Sequence, residues 1–328
     1  MPELVLPRPG DKPSSTPPIS GPTEGAFTKH FGTLLPPAKY LDTINGKVAY
    51  YELPPASPTS TAGATPDRVL FIHGVQTPAL GMQPLASSLK ASSPSSHFVL
   101  VDLWGHGLTD TPVVPHAEAL FHKLIDDLLD ELKWPNVNLI GFSFGGALTV
   151  GYVATRSTRI QSFTLIAPAG LIKSANLPDE EKQFLKRQSD EIEARKWVIH
   201  FLEGTPHPIV PPDWQERVAR GEVVASAIKD WQMCEHAGHV ASVVAIFRDG
   251  GVMDNQEMFV RAAKTGIPSL IVLGAEDDIC SKEELEELGF GDVSVVPGTG
   301  HNVVREKVPE VADVISEFWK KLGENGRG

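Results

Sequence analysis

The sequence predicts an α/β protein in which a mostly parallel, twisted sheet carries helices on both faces and is interrupted by an inserted helical lid. Short apolar runs alternate with segments of helical periodicity, which is typical of buried parallel strands joined by crossover helices. Between residues 172 and 263 the alternation stops, and only amphipathic helical patterns occur. The strand-like runs are RVLFIHG (68–74), HFVLVD (97–102), VNLIGF (137–142), IQSFTLIAP (160–168), PSLIVLG (268–274) and DVSVVPG (292–298).

Changes in composition and periodicity divide the chain into three parts. Residues 1–38 form a proline-rich N-terminal arm, whose start is predicted to be extended or mobile because it holds too little apolar surface to bury. A hairpin signal at an Asn-Gly pair opens the core, which covers 39–171 and 264–328. Residues 172–263, called the helical insertion below, are too long for an ordinary loop and predict a lid (cap) or a small second domain.

Charge and composition narrow the range of partners. The chain of 328 residues has a formal net charge of −12, which disfavours nucleic acids and anionic membranes. No apolar stretch is long enough to span a bilayer, and the N-terminus has the pattern of neither a secretory signal nor a transit peptide, so a cytoplasmic location is predicted. The two cysteines, Cys234 and Cys280, do not indicate a disulfide framework, although a single bridge between them stays open.

The strongest catalytic signal is a serine between a predicted strand and a predicted helix. VNLIG runs directly into the hexapeptide GFSFGG (141–146), and a helical pattern follows. A serine on such a sharp turn has a strained backbone, so its neighbours must be very small, and Gly141 and Gly145 meet that need. The pattern predicts Ser143 as a nucleophile at the N-terminus of a helix.

A serine hydroxyl needs a general base and a carboxylate that orients the base. His301 is the best placed of the eleven histidines, because it follows the last predicted strand in a glycine-containing loop, VVPGTGHNVV. Three carboxylates follow the preceding strand: Glu276, Asp277 and Asp278. The stretch between them and His301 has room for one helix and one strand, as a crossover to a neighbouring parallel strand requires.

Acyl transfer at a serine also requires donors for the oxyanion of the tetrahedral intermediate. The sequence offers the backbone N–H of Phe144, directly after the nucleophile, and that of Val75, in the loop after the strand FIHG. Gly74, in the same loop, is a candidate pocket residue. His73 is expected to hold this loop in place rather than to transfer a proton.

Five segments resemble the successive signature blocks of the α/β-hydrolase superfamily: FIHGVQ, VDLWGHGLTD, GFSFGGA, VLGAEDDI and GTGHNVVREKVPEV. The resemblance covers about residues 39–171 and 264–322. In particular, the chain is similar to the lidded group of esterases, lactonases, carbon–carbon bond hydrolases and cofactor-free haloperoxidases. The resemblance implies the α/β-hydrolase fold, places the acid of the catalytic triad at Asp277, and makes the loop at 102–107 structural.

Four tryptophans are candidates for the wall of a substrate pocket. Trp104 stands where many members of the superfamily carry Arg or Pro, and it can either line the pocket or only pack. Trp197, Trp214 and Trp231 lie in the helical insertion. They favour a largely apolar ligand, or they simply join the insertion to the core.

Together these features predict a serine hydrolase that cleaves a carboxylic ester or lactone of a small, largely apolar molecule through an acyl-enzyme on Ser143, without a cofactor. His236 and His239 are three residues apart, but no further ligand accompanies them, so no metal is predicted. The same triad also serves carbon–carbon bond hydrolases, thioesterases and acyltransferases, and the hydrolase shell also occurs in ligand-binding proteins. Serine at this position argues against epoxide hydrolases and haloalkane dehalogenases, which use a carboxylate nucleophile. The oligomeric state is not predicted.

Overall fold

Eight strands form one sheet in the part of the chain that the computed structural model describes, residues 4–12, 14–56, 66–187 and 189–325. The strands are β1 (Lys39–Thr43), β2 (Gly46–Leu53), β3 (Arg68–Ile72), β4 (His97–Val101), β5 (Val137–Phe142), β6 (Ile160–Ile166), β7 (Ser269–Gly274) and β8 (Val293–Val296). Their order across the sheet is β1-β2-β4-β3-β5-β6-β7-β8. The pairs β1–β2 and β2–β4 are antiparallel and the others are parallel. The ends of the predicted arm and core, 1–3 and 326–328, lie outside the described residues.

Helices connect and cover the strands. They are α1 (Glu24–Phe31), α2 (Gln83–Ser92), α3 (Glu118–Glu131), α4 (Phe144–Thr155), α5 (Asp179–Lys182), α6 (Glu191–Glu203), α7 (Trp214–Ala219), α8 (Ala225–Glu235), α9 (His239–Asp249), α10 (Gln256–Ala263), α11 (Lys282–Glu287), α12 (Val303–Glu306) and α13 (Val308–Asn325). Strand β5 and helix α4 are separated by a single residue, Ser143. The helix α11 and the strand β8 fill the stretch between β7 and the loop of His301, as the spacing predicts.

Both faces of the sheet are buried, which explains the continuous apolar runs in the strand sequences. Alternate residues of β3 point to opposite faces. Leu70 and Ile72 belong to a core shared with α3 and α4, whereas Val69 and Phe71 belong to a second core under α2 and α13. The predicted fold class, a mostly parallel sheet with helices on both faces, is confirmed.

The described residues of the N-terminal arm pack against the rest of the chain. Leu6 is 5% exposed, in a small apolar cluster with α9, and Ile19 forms an isolated bridge with the loop after β4. The arm contains α1, a helix that the proline-rich composition did not predict. The side chain of Thr23 caps this helix, and Phe27 and Phe31 are buried. The arm gains its order from contacts with the rest of the chain, which its own composition could not reveal.

The helical insertion contains α5 to α10 and, within its described residues, no strand beyond an isolated bridge. Helices α6 and α8 pack against α9. Helix α10 packs instead against α4 of the core. The division of the chain at residues 172 and 263 stays a prediction.

The structure also shows whether the two cysteines pair and whether a described helix could span a membrane. Cys234 is exposed, Cys280 is buried, and both are free thiols, so no bridge joins them. No helix in the described ranges combines the length and the apolar character that crossing a membrane requires.

Candidate active site

Ser143 occupies the turn between β5 and α4 with a strained backbone. Its φ is +53° and its ψ is −117°, in a region that costs about 1–3 kcal/mol for a residue with a side chain. The close approach of α4 to the sheet requires glycines: a Cβ on Gly145 would lie 2.1 Å from the carbonyl oxygen of Ile72. A Cβ on Gly141 would lie 2.3 Å from the carbonyl oxygen of Gly145. The Ser143 N–H donates to the Ile166 carbonyl at 3.0 Å, which ties the turn to β6.

His301 lies between Ser143 and Asp277 and contacts both. Its Nε2 is 3.0 Å from Ser143 Oγ, and its Nδ1 is 3.3 Å from Asp277 Oδ2. With the proton on Nδ1, the imidazole donates to the carboxylate, and its Nε2 is free to accept the serine proton. The three side chains therefore have the geometry of a nucleophile, a base and an orienting acid.

Among the three candidate carboxylates, Asp277 is the one that faces the imidazole. Its side chain is 0% exposed, and its Oδ1 accepts a hydrogen bond from the Ile279 N–H at 2.9 Å, which holds the carboxylate in place. Glu276 and Asp278 are exposed. The contacts thus select the residue that the spacing alone left open.

The two predicted oxyanion donors belong to the loop after β3 and to the first residue of α4. Phe144 is the first residue of α4, so its N–H has no carbonyl one turn earlier to bind. Val75 lines the cavity over Ser143. Gly74 approaches the nucleophile so closely that a Cβ there would lie 2.9 Å from Ser143 Cβ.

Buried polar side chains brace the loops after β3 and β4. His73 Nδ1 donates to the Gly74 carbonyl at 2.7 Å, and its Nε2 accepts from the Leu103 N–H at 2.9 Å. Burial lowers the pKa of His73 to about 4, so the imidazole is neutral and acts as a scaffold. Asp102 accepts hydrogen bonds from the Leu108 N–H and from the Tyr51 hydroxyl, and burial raises its pKa to about 6. The loop after β4 is therefore held by its own buried network.

A cavity of about 470 Å³ opens over Ser143 and His301, between the core and the helical insertion. Its apolar lining residues are Val75, Phe142, Ala169, Ile172, Phe201, Leu202, Phe247, Val252 and Ile279. Its other polar lining residues are Gln76, Thr77, Lys229, Asp278, Asn302 and Arg305.

The four tryptophans do not line this cavity, so of the two roles that the sequence left open for them the structure shows packing. Trp104 is 1% exposed and belongs to the core. Trp197 packs behind the wall, against aromatic side chains that do line it. Trp214 and Trp231 lie around Phe31 of α1, with ring centroids 6.1 and 5.7 Å from it. Their apolar character indicates burial but cannot tell which surface each ring covers.

The histidine pair of the insertion makes hydrogen bonds to the core. His236 Nε2 donates to the Thr109 carbonyl and His239 Nδ1 to the Gly105 carbonyl, both at 2.8 Å. Within the described ranges, no group of three His, Cys, Asp or Glu side chains could hold a metal ion. The pair thus joins the insertion to the loop after β4.

Sequence reasoning missed the polar wall of the cavity. Arg305 stands in α12, one helical turn beyond His301, and a charge at that spacing from the base was a usable signal. Lys229 comes from α8 and pairs with Glu203 of α6 at 2.6 Å. Nothing local in the sequence links that pair to the site.

Three features define an α/β-hydrolase fold with a Ser-His-Asp arrangement. They are the order of the strands in the sheet, the serine at a strand–helix turn, and the acid and base in the loops after β7 and β8. Residues 69–314 match the alpha/beta hydrolase family. The chain belongs to that family.

Individual relatives are distant and diverse. A Bacillus subtilis protein named "Putative 2-succinyl-6-hydroxy-2,4-cyclohexadiene-1-carboxylate synthase" is 22% identical over 78% of this chain and 91% of its own length. The monoacylglycerol lipase abhd6-A of Xenopus laevis is 24% identical over 77% of this chain and 75% of its own. The crystal structure of the enol-lactonase from Burkholderia xenovorans LB400 aligns with a TM-score of 0.61 at 17% identity, over 85% of this chain and 99% of that one. Such a structural likeness shows the fold alone.

Proposed function

We propose that this protein is a serine hydrolase that cleaves a carboxylic ester or lactone of a small molecule through an acyl-enzyme on Ser143. The observation that carries the proposal is the position of His301, within hydrogen-bond distance of both Ser143 Oγ and the buried carboxylate of Asp277. A cavity of about 470 Å³ over these groups suits a small substrate. A sequence relative named as a monoacylglycerol lipase also supports ester-bond chemistry.

In the first step, Ser143 Oγ attacks the substrate carbonyl while its proton passes to His301 Nε2. Asp277 holds the imidazole in the productive tautomer and stabilises the imidazolium. The N–H groups of Val75 and Phe144 donate to the oxyanion, and such a donor contributes about 3–4 kcal/mol to transition-state stabilisation in other enzymes. His301 then protonates the leaving alkoxide, and the C–O bond breaks.

In the second step, His301 accepts a proton from water, and the resulting hydroxide attacks the acyl-enzyme carbonyl. The tetrahedral intermediate collapses, Ser143 Oγ leaves with the proton from His301, and the acid product is released. For a lactone, acid and alcohol are parts of one product molecule.

In the proposed enzyme, the helical insertion is a lid over the catalytic cavity. Apolar side chains from the insertion, among them Phe201, Leu202 and Phe247, line the cavity and favour apolar parts of the substrate. The proposed partners are small molecules, not nucleic acids or membranes, and the proposed location is the cytoplasm. No cofactor takes part in the proposed reaction.

A Ser143→Ala variant tests the proposal. We expect hydrolysis of para-nitrophenyl esters to fall by about 10⁶-fold, because the attacking oxygen is lost. Ser92→Ala, at the exposed end of α2, is the matched control and should keep wild-type activity. Ester hydrolysis by Ser143→Ala at a near wild-type rate would falsify the assignment.

A substrate panel separates the neighbouring chemistries. Esters and lactones should be cleaved faster than vinylogous diketones or acyl thioesters, and the opposite ranking would indicate a carbon–carbon hydrolase or a thioesterase. A fluorophosphonate probe should label Ser143. A folded wild-type protein that the probe leaves unlabelled would be a binding protein instead.

A further inference from the structure

Arg305 places a cation in the wall of the catalytic cavity without a carboxylate partner. Its Nη1 has no contact with solvent and no hydrogen-bond partner. Its Nη2 donates to Asn302 Oδ1, and the guanidinium lies over the Phe142 ring, 5.1 Å from its centroid. Among the ion pairs of the described residues, none includes Arg305.

Glu306 and Glu203 act on this charge from a distance, without forming an ion pair with it. Burial lowers the pKa of Arg305 to about 10, which leaves the side chain charged at neutral pH. Glu203 already pairs with Lys229 at 2.6 Å, and Glu306 accepts a hydrogen bond from the Thr299 hydroxyl at 2.7 Å. Asp278 borders the cavity but is exposed, where water and salt screen its charge.

A second donor in the same wall also lacks a partner. Gln76 is 2% exposed, and its Nε2 is buried without a hydrogen bond. Buried donors are almost always satisfied in proteins, so each of these two nitrogen atoms lacks a partner that it would ordinarily have. Both side chains line the cavity that contains Ser143, and a ligand that supplies acceptor oxygens would satisfy these two donors.

We propose that the substrate carries a carboxylate in addition to its scissile carbonyl, that Arg305 binds this carboxylate, and that Gln76 donates to it. The planar guanidinium presents paired donors that match a carboxylate. The Phe142 ring lies beside both groups, with its centroid 5.4 Å from that of the His301 ring, so a short spacer joins the carboxylate to the reacting carbonyl. This inference rests on the proposed function and makes Arg305 its specificity-determining residue.

Matched acidic and neutral esters test the proposal. One pair places the acid on the acyl side: para-nitrophenyl hydrogen adipate and its methyl-capped form. The other places it on the alcohol side: para-carboxyphenyl butyrate and its methyl ester. We expect the wild type to favour the acid of at least one pair by about 10- to 100-fold in kcat/KM, the range of a charge-assisted hydrogen bond. Equal kcat/KM values within both pairs would overturn the proposal.

Substitutions at Arg305 test whether this residue causes the preference for acidic over neutral esters. In Arg305→Met the ratio of acidic to neutral kcat/KM should fall to near one, and Arg305→Lys should restore part of it because it keeps the charge. Arg261→Met, at an exposed position on α10, should keep the wild-type ratio. A ratio that survives in Arg305→Met would also overturn the proposal.

A comparison within the wild type covers the case in which Arg305→Met does not fold. Adipate should protect Ser143 from the fluorophosphonate at least tenfold more strongly than its uncharged diamide, adipamide, and equal protection would refute the proposal. Failure of the proposed function is distinguishable, because then neither acidic nor neutral esters are hydrolysed and Ser143 is not labelled.

Discussion

Asp277 and Asp278 are adjacent in the chain, yet the fold gives their carboxylates opposite surroundings. Asp277 is buried between the Ile279 N–H and the imidazole of His301. Asp278 is exposed at the border of the cavity. A buried carboxylate with two fixed partners orients an imidazole, whereas an exposed one is free to rotate and is screened by water.

This contrast predicts different outcomes for one substitution at the two positions. Asp277→Asn should reduce kcat by about 10⁴-fold, because the amide cannot hold the imidazole in the tautomer whose Nε2 accepts the serine proton. Asp278→Asn should change kcat by less than about tenfold, since its carboxylate does not touch His301. Steady-state kinetics with a neutral para-nitrophenyl ester measures both. If Asp278→Asn were the more damaging variant, the acid of the site would be misassigned.

Helices α8 and α9 meet the loop after β4 through buried histidines. His236 and His239 donate to backbone carbonyls of that loop, and the His239 ring lies 4.9 Å from that of His106. Burial lowers the pKa of His239 to about 3, and burial together with neighbouring imidazoles lowers the pKa of His106 well below its ordinary value. The contact between the insertion and the core therefore depends on neutral imidazoles.

The buried histidines predict loss of stability in mild acid. Their folded-state pKa values lie below the unfolded value of about 6.5, so the unfolded chain binds more protons between pH 6.5 and about 4. Stability is complete above pH 6.5 and falls as the pH is lowered, by about 1.4 kcal/mol per pH unit for each such group. Asp102, whose pKa is raised to about 6, has the opposite sign and offsets about one histidine.

Urea unfolding between pH 7 and pH 4 measures this dependence. His239→Asn keeps a donor toward the Gly105 carbonyl but cannot titrate, so the slope should become shallower by about 1.4 kcal/mol per pH unit. His207→Asn, at an exposed position, should keep the wild-type slope. An unchanged slope in His239→Asn would show that this histidine does not carry the effect.

At the scale of the whole molecule, the N-terminal arm ties the helical insertion to the core. Arg8 forms two hydrogen bonds to Asp249 of α9, at 2.7 and 3.0 Å, and a third to the Leu185 carbonyl at 2.9 Å. At the other end of the arm, Phe27 and Phe31 of α1 pack against the insertion. The arm therefore contacts the insertion at two separate places.

Removing the first contact should loosen the insertion locally. Arg8→Met leaves Asp249, whose side chain is 11% exposed, without its partner, and we expect a loss of about 1–3 kcal/mol. Hydrogen exchange should speed up in α9 and around Leu185, but not in the strands. Lys12→Met, at an exposed position of the arm, should leave exchange unchanged. Equal acceleration in the insertion and the sheet would argue against a local tie.

Much of the fold, together with Ser143 and His301, could be predicted from local sequence. A strand buried on both faces must be a continuous apolar run, and crossover helices must alternate with such strands, so the order of elements is visible in the chain. Ser143 could be identified because its strained turn admits only glycine at the positions of Gly141 and Gly145. His301 could be identified because it follows the last predicted strand. These requirements act over a few residues, and local sequence records them.

Tertiary structure alone decided how the cavity wall is composed. Trp197 packs behind the wall rather than in it, because an apolar side chain gains the same burial from either surface. Arg305 has a guanidinium nitrogen without a partner, whereas Glu203 and Lys229, from two helices of the insertion, pair with each other. The burial of a side chain and the balance of charges around it depend on residues that are far apart in the chain. Both are therefore determined only when the chain has folded.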